Sequence, residues 1–493
     1  MLTLFTESFF WMVINVTALF FFLCTILFSY SRLVYVDVDN DIAVSSYDEL
    51  YSCGVKTVPL DNGSTRTWIF LVDTENCRIP NVDPFDTSIK HLLNLHSKPY
   101  RCDDRKLVTY IQGNTLYLNQ TKQSKHLSFC RFKAIYRNGN TFEFGEESQA
   151  FNRSIEIKDE FIKVMCYNFS RSVMVENYHL HFIMKYPKTK ESIYNSKQSN
   201  DIKNNTTINH LIKTGKTLNV LSNQNGRFEI KDHLNVLLVM IDSTSRINSL
   251  RYLPKTRKYL IDTLEATEML GYNKLADNTM VNMVPFLTGD YYENQPCLKS
   301  KHGVDNCSFI WQNYSQSGYL THFGEDWPRI GTFHYSLKGF KRQPTDYDDR
   351  PFHLANEKGS RLMMETCFHG RSSSETLYWR IYDLAYNLRN KHYFSLSILS
   401  RMSHDFLEGV KNLDNLSLNT LKKLYENNLL NKTFLAFFGD HGMRIGKVRM
   451  TFIGQLEERL PMMFIYIPEW FKTKYSSLFN NLITNSRQLT THF

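Results

Sequence analysis

The stretch "FLAFFGDHGMRIG" (434–446) sets a carboxylate, Asp440, beside an imidazole, His441, directly after an unbroken apolar run. Carboxylate and imidazole are ligands for divalent metals. In open α/β sheets, ligands sit just beyond the carboxyl ends of buried strands. A second stretch, "NVLLVMIDSTSR" (235–246), repeats the pattern, with Asp242 following its own apolar run. If both runs are central strands of one parallel sheet, Asp242, Asp440 and His441 converge into three ligands of one metal site. Gly439 and Gly442 flank the pair, which predicts a sharp backbone turn there.

A third stretch, "GYNKLADNTMVNMVPFLTG" (271–289), adds a hydroxyl: Thr279 stands ten residues before Gly289 of a Thr-Gly pair. At this point the chain resembles the alkaline phosphatase and sulfatase superfamily. There a Thr, Ser or modified Cys at this spacing follows a strand-end metal-binding Asp and precedes an Asp-His-Gly. Within that superfamily it is most similar to the metazoan domain of unknown function 229 family. The matching text includes "NVLLVMIDSTSR", "GYNKLADNT…VPFLTG", "FGEDWPRIGTFHY…GFKRQPTDYDDRPF", "SHD", "FFGDHGMRIGKVRMTFIGQLEERLPMMFIYIPEWF" and "RQLTTHF". It spans residues 235–493, with a looser block, "CRIPNVDPFD", at 77–86.

The resemblance implies an alkaline-phosphatase-like α/β fold and a metal-dependent hydrolase or transferase of phosphate or, less readily, sulfate esters. Asp242, Asp440 and His441 would hold a divalent cation (zinc, manganese or calcium) in one well-formed site. Thr279 would be the nucleophile, activated by the metal. It would open a helical turn whose free N–H groups favour an anionic ester, although Pro285 argues against a long regular helix. Arg246 and Asn282 would contact the ester oxygens, and His404 of "SRMSHD" would join the metal ligands. The chain also departs from the pattern. Two-metal members carry an Asp four residues before that His; here the position is Ser400, and no Gly-His-Gly follows His441. Asp405 and Glu457 are the remaining candidates for a second site. Glu325 and Asp326 of "FGEDW" either reach the cleft or are structural. The Cys-x-Pro-x-Arg of sulfatases is absent, which favours a phosphate ester. The alternative is a catalytically silent ectodomain that binds a glycan or lipid head group in the same cleft.

These residues need a scaffold. From residue 231 to 493, apolar runs at 235–241, 392–399, 433–439 and 462–467 alternate with amphipathic stretches near 254–269 and 415–428. That alternation predicts a central, mostly parallel sheet sandwiched by helices. The domain has no evident finish at 493 and is expected to be C-terminally incomplete. Residues 33–190 form a cysteine-containing region with strand-like stretches such as "KLVTYIQ" and "HLHFIMKY". Residues 191–230 are polar and rich in Asn and Lys, as in a linker or insertion.

The chain has 493 residues, 42% of them hydrophobic and 22% charged, with a net charge of +9 spread along its length. No basic block marks a nucleic-acid partner. Residues 9–29 are uncharged and long enough to span a bilayer, which predicts a signal anchor over 1–32 and membrane attachment through it. A cleaved signal would instead give a secreted protein. Arg32 follows the segment and would place the rest in the cytosol. Ten downstream Asn-x-Ser/Thr sequons (Asn62, Asn119, Asn152, Asn168, Asn204, Asn205, Asn306, Asn313, Asn415 and Asn431) outweigh that single Arg. Eight downstream cysteines, an even number without Cys-x-x-Cys spacing, point the same way, to a luminal or extracellular chain with disulfides.

Overall fold

The computed structural model describes residues 57–59, 65–67, 70–119, 125–186, 232–358 and 366–492. The apolar segment 9–29, Cys53, three of the sequons and all of the expected linker lie outside these residues. Among the described residues no helix is long and apolar enough to cross a membrane. Thr57–Pro59 and Thr65–Thr67 form a two-stranded antiparallel ribbon. The described residues from 70 onward form one compact unit.

Within that unit, four strands build an antiparallel sheet: β1 (Phe129–Asn138), β2 (Thr141–Glu147), β3 (Phe161–Tyr167) and β4 (Val173–Leu180), in the order β4-β3-β1-β2. The alternating stretch 179–186, expected as a strand, pairs only at its start; beyond residue 180 it is irregular. Its polar groups find partners outside a ladder. Lys185 donates its backbone N–H to the Tyr347 hydroxyl, which itself donates to the Ile183 carbonyl.

The larger sheet has seven strands: β5 (Asn235–Ile241), β6 (Thr267–Glu268), β7 (Leu320–Glu325), β8 (Tyr347–Asp348), β9 (Tyr393–Leu399), β10 (Thr433–Phe438) and β11 (Met463–Tyr466). Their order is β6-β11-β10-β5-β9-β7-β8. The five strands from β10 to β8 run parallel; β11 pairs antiparallel with β10, and the edge strand β6 pairs antiparallel with β11. The sheet is therefore mostly parallel, as expected. The helix expected near 254–269 stops at Asp262, because Thr267–Glu268 pairs with β11 instead.

Both faces of this sheet are covered, which is why its strands read as continuous apolar runs. Leu237, Val239 and Ile241 of β5 point into one core; Leu238 and Met240 point into the other. The first core is closed by α1 (Arg246–Tyr252), α2 (Pro254–Asp262), α5 (Ser373–Asn387) and α6 (Asp414–Glu426). The second is closed by α3 (Thr279–Thr288), with Met283, Val284 and Leu287 buried. Helix α4 (Arg350–Asn356) packs Phe352 and Ala355 against the antiparallel sheet. Helix α7 (Phe452–Arg459) precedes β11.

A buried polar chain ties the two sheets. Ser395 Oγ lies 2.8 Å from His322 Nδ1, and His322 Nε2 lies 2.9 Å from Asp349. Asp349 then accepts from Arg380 Nε at 3.1 Å, and Arg380 donates to Glu160 just before β3 at 2.5 Å. Ser395 is buried mid-strand, so this serine, histidine and aspartate are structural. Three disulfides, Cys102–Cys367, Cys130–Cys166 and Cys297–Cys307, bear out most of the cysteine pairing. Cys77 has no disulfide partner among the described residues.

Candidate metal centre and nucleophile

Strands β5 and β10 are neighbours, with Met240 opposite Phe438. Two residues further along each chain stand Asp242 and Asp440, so both acids leave the sheet at the same level. The ligand atoms of Asp242, Asp440 and His441 all lie within 4.8 Å of one another. His441 Nε2 is 3.3 Å from Asp440 Oδ2 and 3.8 Å from Asp242 Oδ1. All three residues are buried. His441 Nδ1 lies 2.8 Å from the Gly442 carbonyl. A carbonyl only accepts, so Nδ1 carries the proton and the Nε2 lone pair faces the two carboxylates.

The glycines work through close approach. Neither Gly439 nor Gly442 is in the left-handed region. A Cβ on Gly439 would meet the Thr244 carbonyl at 2.3 Å, and one on Gly442 would meet the Glu457 carbonyl at 2.0 Å. Gly439 thus lets the turn after β5 lie against the turn after β10, which is what brings the acids together. The strained residue is Ser243, with φ of 57°. Its N–H donates to Asp440 Oδ1 at 3.1 Å and its hydroxyl to Asp242 Oδ1 at 3.0 Å.

Burial, followed by the like charge of Asp440, holds the Asp242 carboxyl above the usual range, and burial does the same to Asp440. Burial pushes His441 down to about 4. Asp440 Oδ2 is buried without a hydrogen-bond partner. A buried acceptor left unpaired is costly. Two carboxylates, one of them with an orphaned oxygen, and a neutral imidazole fit a divalent cation.

Thr279 is the first residue of α3, after Asn278 as N-cap. Its hydroxyl oxygen is 3.4 Å from Asp242 Oδ1 and 3.5 Å from His441 Nε2, so it faces the cluster. Helix α3 runs ten residues with Pro285 inside it and ends at left-handed Gly289, longer than Pro285 suggested.

The other expected site residues are placed differently. Asn282 is fully buried; its Oδ1 accepts from the Leu275 and Ala276 N–H groups, and its Nδ2 donates to the Ala276 and Asn278 carbonyls. With its amide so engaged, it holds the turn before Thr279 and leaves no group for an ester. Arg246 is ion-paired with Glu268 at 3.1 Å, beside Arg257, so it is structural. His404 is outside the converging ligand set, and its Nδ1 lies 2.6 Å from Asp405. The Ser400 hydroxyl bonds to Asp242, where a second metal set would need an acid. Glu457 is claimed by Arg251, at 2.9 and 2.5 Å, and by Ser245. Asp326 accepts from the Ser400 and Arg401 N–H groups and Ser374, and Glu325 accepts from the Thr332 N–H. Both acids pin loops. Arg444 was not singled out by its position in the sequence. It bonds to Asn278, one residue before Thr279.

The model of the family described as "Protein of unknown function (DUF229)" matches residues 87–493. The chain belongs to that family. No curated protein matches this DUF229 member. Among solved structures, 48% of the chain is similar to a protein in the alkaline phosphatase superfamily from Vibrio parahaemolyticus, at 13% identity over 61% of that chain, with a TM-score of 0.37. Lipoteichoic acid synthase LtaP from Listeria monocytogenes aligns at 13% identity over 48% of this chain and 66% of its own, with a TM-score of 0.33. The lipooligosaccharide phosphoethanolamine transferase EptA from Neisseria meningitidis aligns at 12% identity over 54% of each chain, with a TM-score of 0.37. The DUF229 chain spans less than two thirds of the length of these structures. Identity and superposition are both low, so they fix neither reaction nor substrate.

Proposed function

We propose that this chain is a metal-dependent phosphate-ester hydrolase or transferase in which Thr279 is the nucleophile. The observation that carries the reading is the buried Asp242, Asp440 and His441 cluster, with an orphaned carboxylate oxygen and the Thr279 hydroxyl within 3.5 Å of two of its members. A divalent cation held by the three would favour the deprotonated Thr279 hydroxyl and offset negative charge on the ester.

The chain's own residues do the rest. Helix α3 and Asn282 fix Thr279 facing the cluster. Gly442 O holds the His441 proton on Nδ1. Thr279 Oγ gives up its proton to solvent and bonds to phosphorus as the bond to the leaving oxygen breaks on the opposite side; that oxygen takes a proton from solvent. Water or an acceptor alcohol then attacks phosphorus, loses its proton and breaks the Thr279–phosphorus ester bond, which restores the Thr279 hydroxyl. A threonine cannot become formylglycine, so sulfate esters fit less well.

The same reading places the chain in a luminal or extracellular compartment. The disulfides support this, as do six described sequon asparagines that are exposed: Asn119, Asn152, Asn306, Asn313, Asn415 and Asn431. The test is a screen of phosphate monoesters, phosphodiesters and sulfate esters with and without chelator. Chelator-sensitive turnover of a phosphate ester supports the proposal. Binding of glycans or lipid head groups without turnover of any ester would favour a silent ectodomain.

A further inference from the structure

Arg444 stands three residues after His441 and is half-buried. Its guanidinium donates through one NH2 group to Asn278 Oδ1, one residue before Thr279. That bond holds Arg444 one residue from Thr279, whose hydroxyl faces Asp242 and His441. Neighbouring cations are committed to acids: Lys274 pairs with Asp277 at 2.5 Å and with Glu458, and Arg449 pairs with Glu458 at 2.9 Å. The hydrogen-bond partner of Arg444 is instead a neutral amide.

That bond has a second consequence. Asn is a strong N-cap residue because its side-chain oxygen usually accepts from the first turn of its own helix. Asn278 makes no such bond, and its oxygen is turned to Arg444. The first N–H groups of α3 therefore keep no acceptor from their cap, next to the Thr279 hydroxyl. A guanidinium has five donors. One anchors Arg444 to Asn278, and the others suit two oxygens of one tetrahedral anion.

We propose that Arg444 grips the non-bridging oxygens of the phosphate ester seated on Thr279, with Asn278 holding its guanidinium in place. The proposal rests on the ester reading above and assigns the anion contact once expected of Arg246 and Asn282 to a different residue. It makes Arg444 a specificity-determining residue for tetrahedral oxyanions.

The experiment is calorimetric titration of the metal-loaded full chain with inorganic phosphate, for wild type, Arg444→Met and Arg444→Lys, with melting temperatures alongside. Loss of a charge-assisted pair of hydrogen bonds should weaken phosphate binding about ten- to a hundredfold in Arg444→Met. Arg444→Lys keeps the charge and a donor to Asn278 but loses the fork, so it should fold as wild type and bind phosphate with intermediate affinity. Wild-type affinity in both variants would overturn the assignment and leave the ester chemistry standing. A wild-type chain that binds no phosphate and turns over no ester would overturn both.

Discussion

Asp242 and Asp440 stand two residues beyond the paired residues Met240 and Phe438 on adjacent parallel strands, so the sheet register itself sets one acid beside the other. The Ser243 N–H then ties the two turns by donating to Asp440 Oδ1. Position along the strand thus decides the ligand set, and Thr279 is brought to it from a different layer.

Thr279 is the first residue inside α3, and the cap is Asn278, so its hydroxyl has no capping duty. Replacing it with Ala should change stability by less than about 1 kcal/mol, below the usual loss for a cap. Turnover should nearly vanish, while Thr279→Ser should keep part of it. Turnover and melting temperature measured together on an ester found by the screen check this. Undiminished turnover in Thr279→Ala would leave water as the attacking group.

Arg251 and Glu457 form a buried pair that joins α1 to α7, and Arg251 also donates to the Pro84 carbonyl at 2.5 Å. Arg251→Met should cost about 3–5 kcal/mol, because it strands a buried carboxylate. Adding Glu457→Gln should recover part of that loss. Denaturant unfolding of the single and double variants checks it; a single variant as stable as wild type would contradict the account of Glu457.

His353 is fully buried, with neither ring nitrogen hydrogen-bonded, and burial pushes it down to about 4. The unfolded chain binds this proton near pH 6.5 and the folded chain only near 4, so stability is present above about 6.5 and falls as pH drops toward 4. Relative to His353→Gln, the wild type should lose up to about 1.4 kcal/mol per pH unit across that window. Unfolding free energies of both proteins at several pH values measure the difference. A constant difference would mean that His353 titrates normally.

Much of the architecture was legible. The run at 235–241 is a strand with those limits and the run at 433–439 is one from 433 to 438, because covering both faces leaves an unbroken apolar signature. The acids at their ends followed from the same signature. What the sequence could not show was which partner each polar side chain would find. Asn282 and Arg246 lie near the motifs, yet one is consumed by the turn at 275–278 and the other by Glu268. Arg444 lies just past the motif, and only folding brings it to Asn278. Gly439 read as a turn residue because its real constraint, the Thr244 carbonyl, is far away in sequence.

The most direct measurement is the divalent metal content of the purified chain and of Asp440→Asn. The amide can still accept from the Ser243 N–H, so the variant should fold, and it removes the charged oxygen that has no partner in the fold. The account predicts one tightly held divalent ion per wild-type chain and a large loss in Asp440→Asn at unchanged melting behaviour without metal. A wild-type chain that takes up no divalent ion, or a variant that holds it equally well, would contradict it.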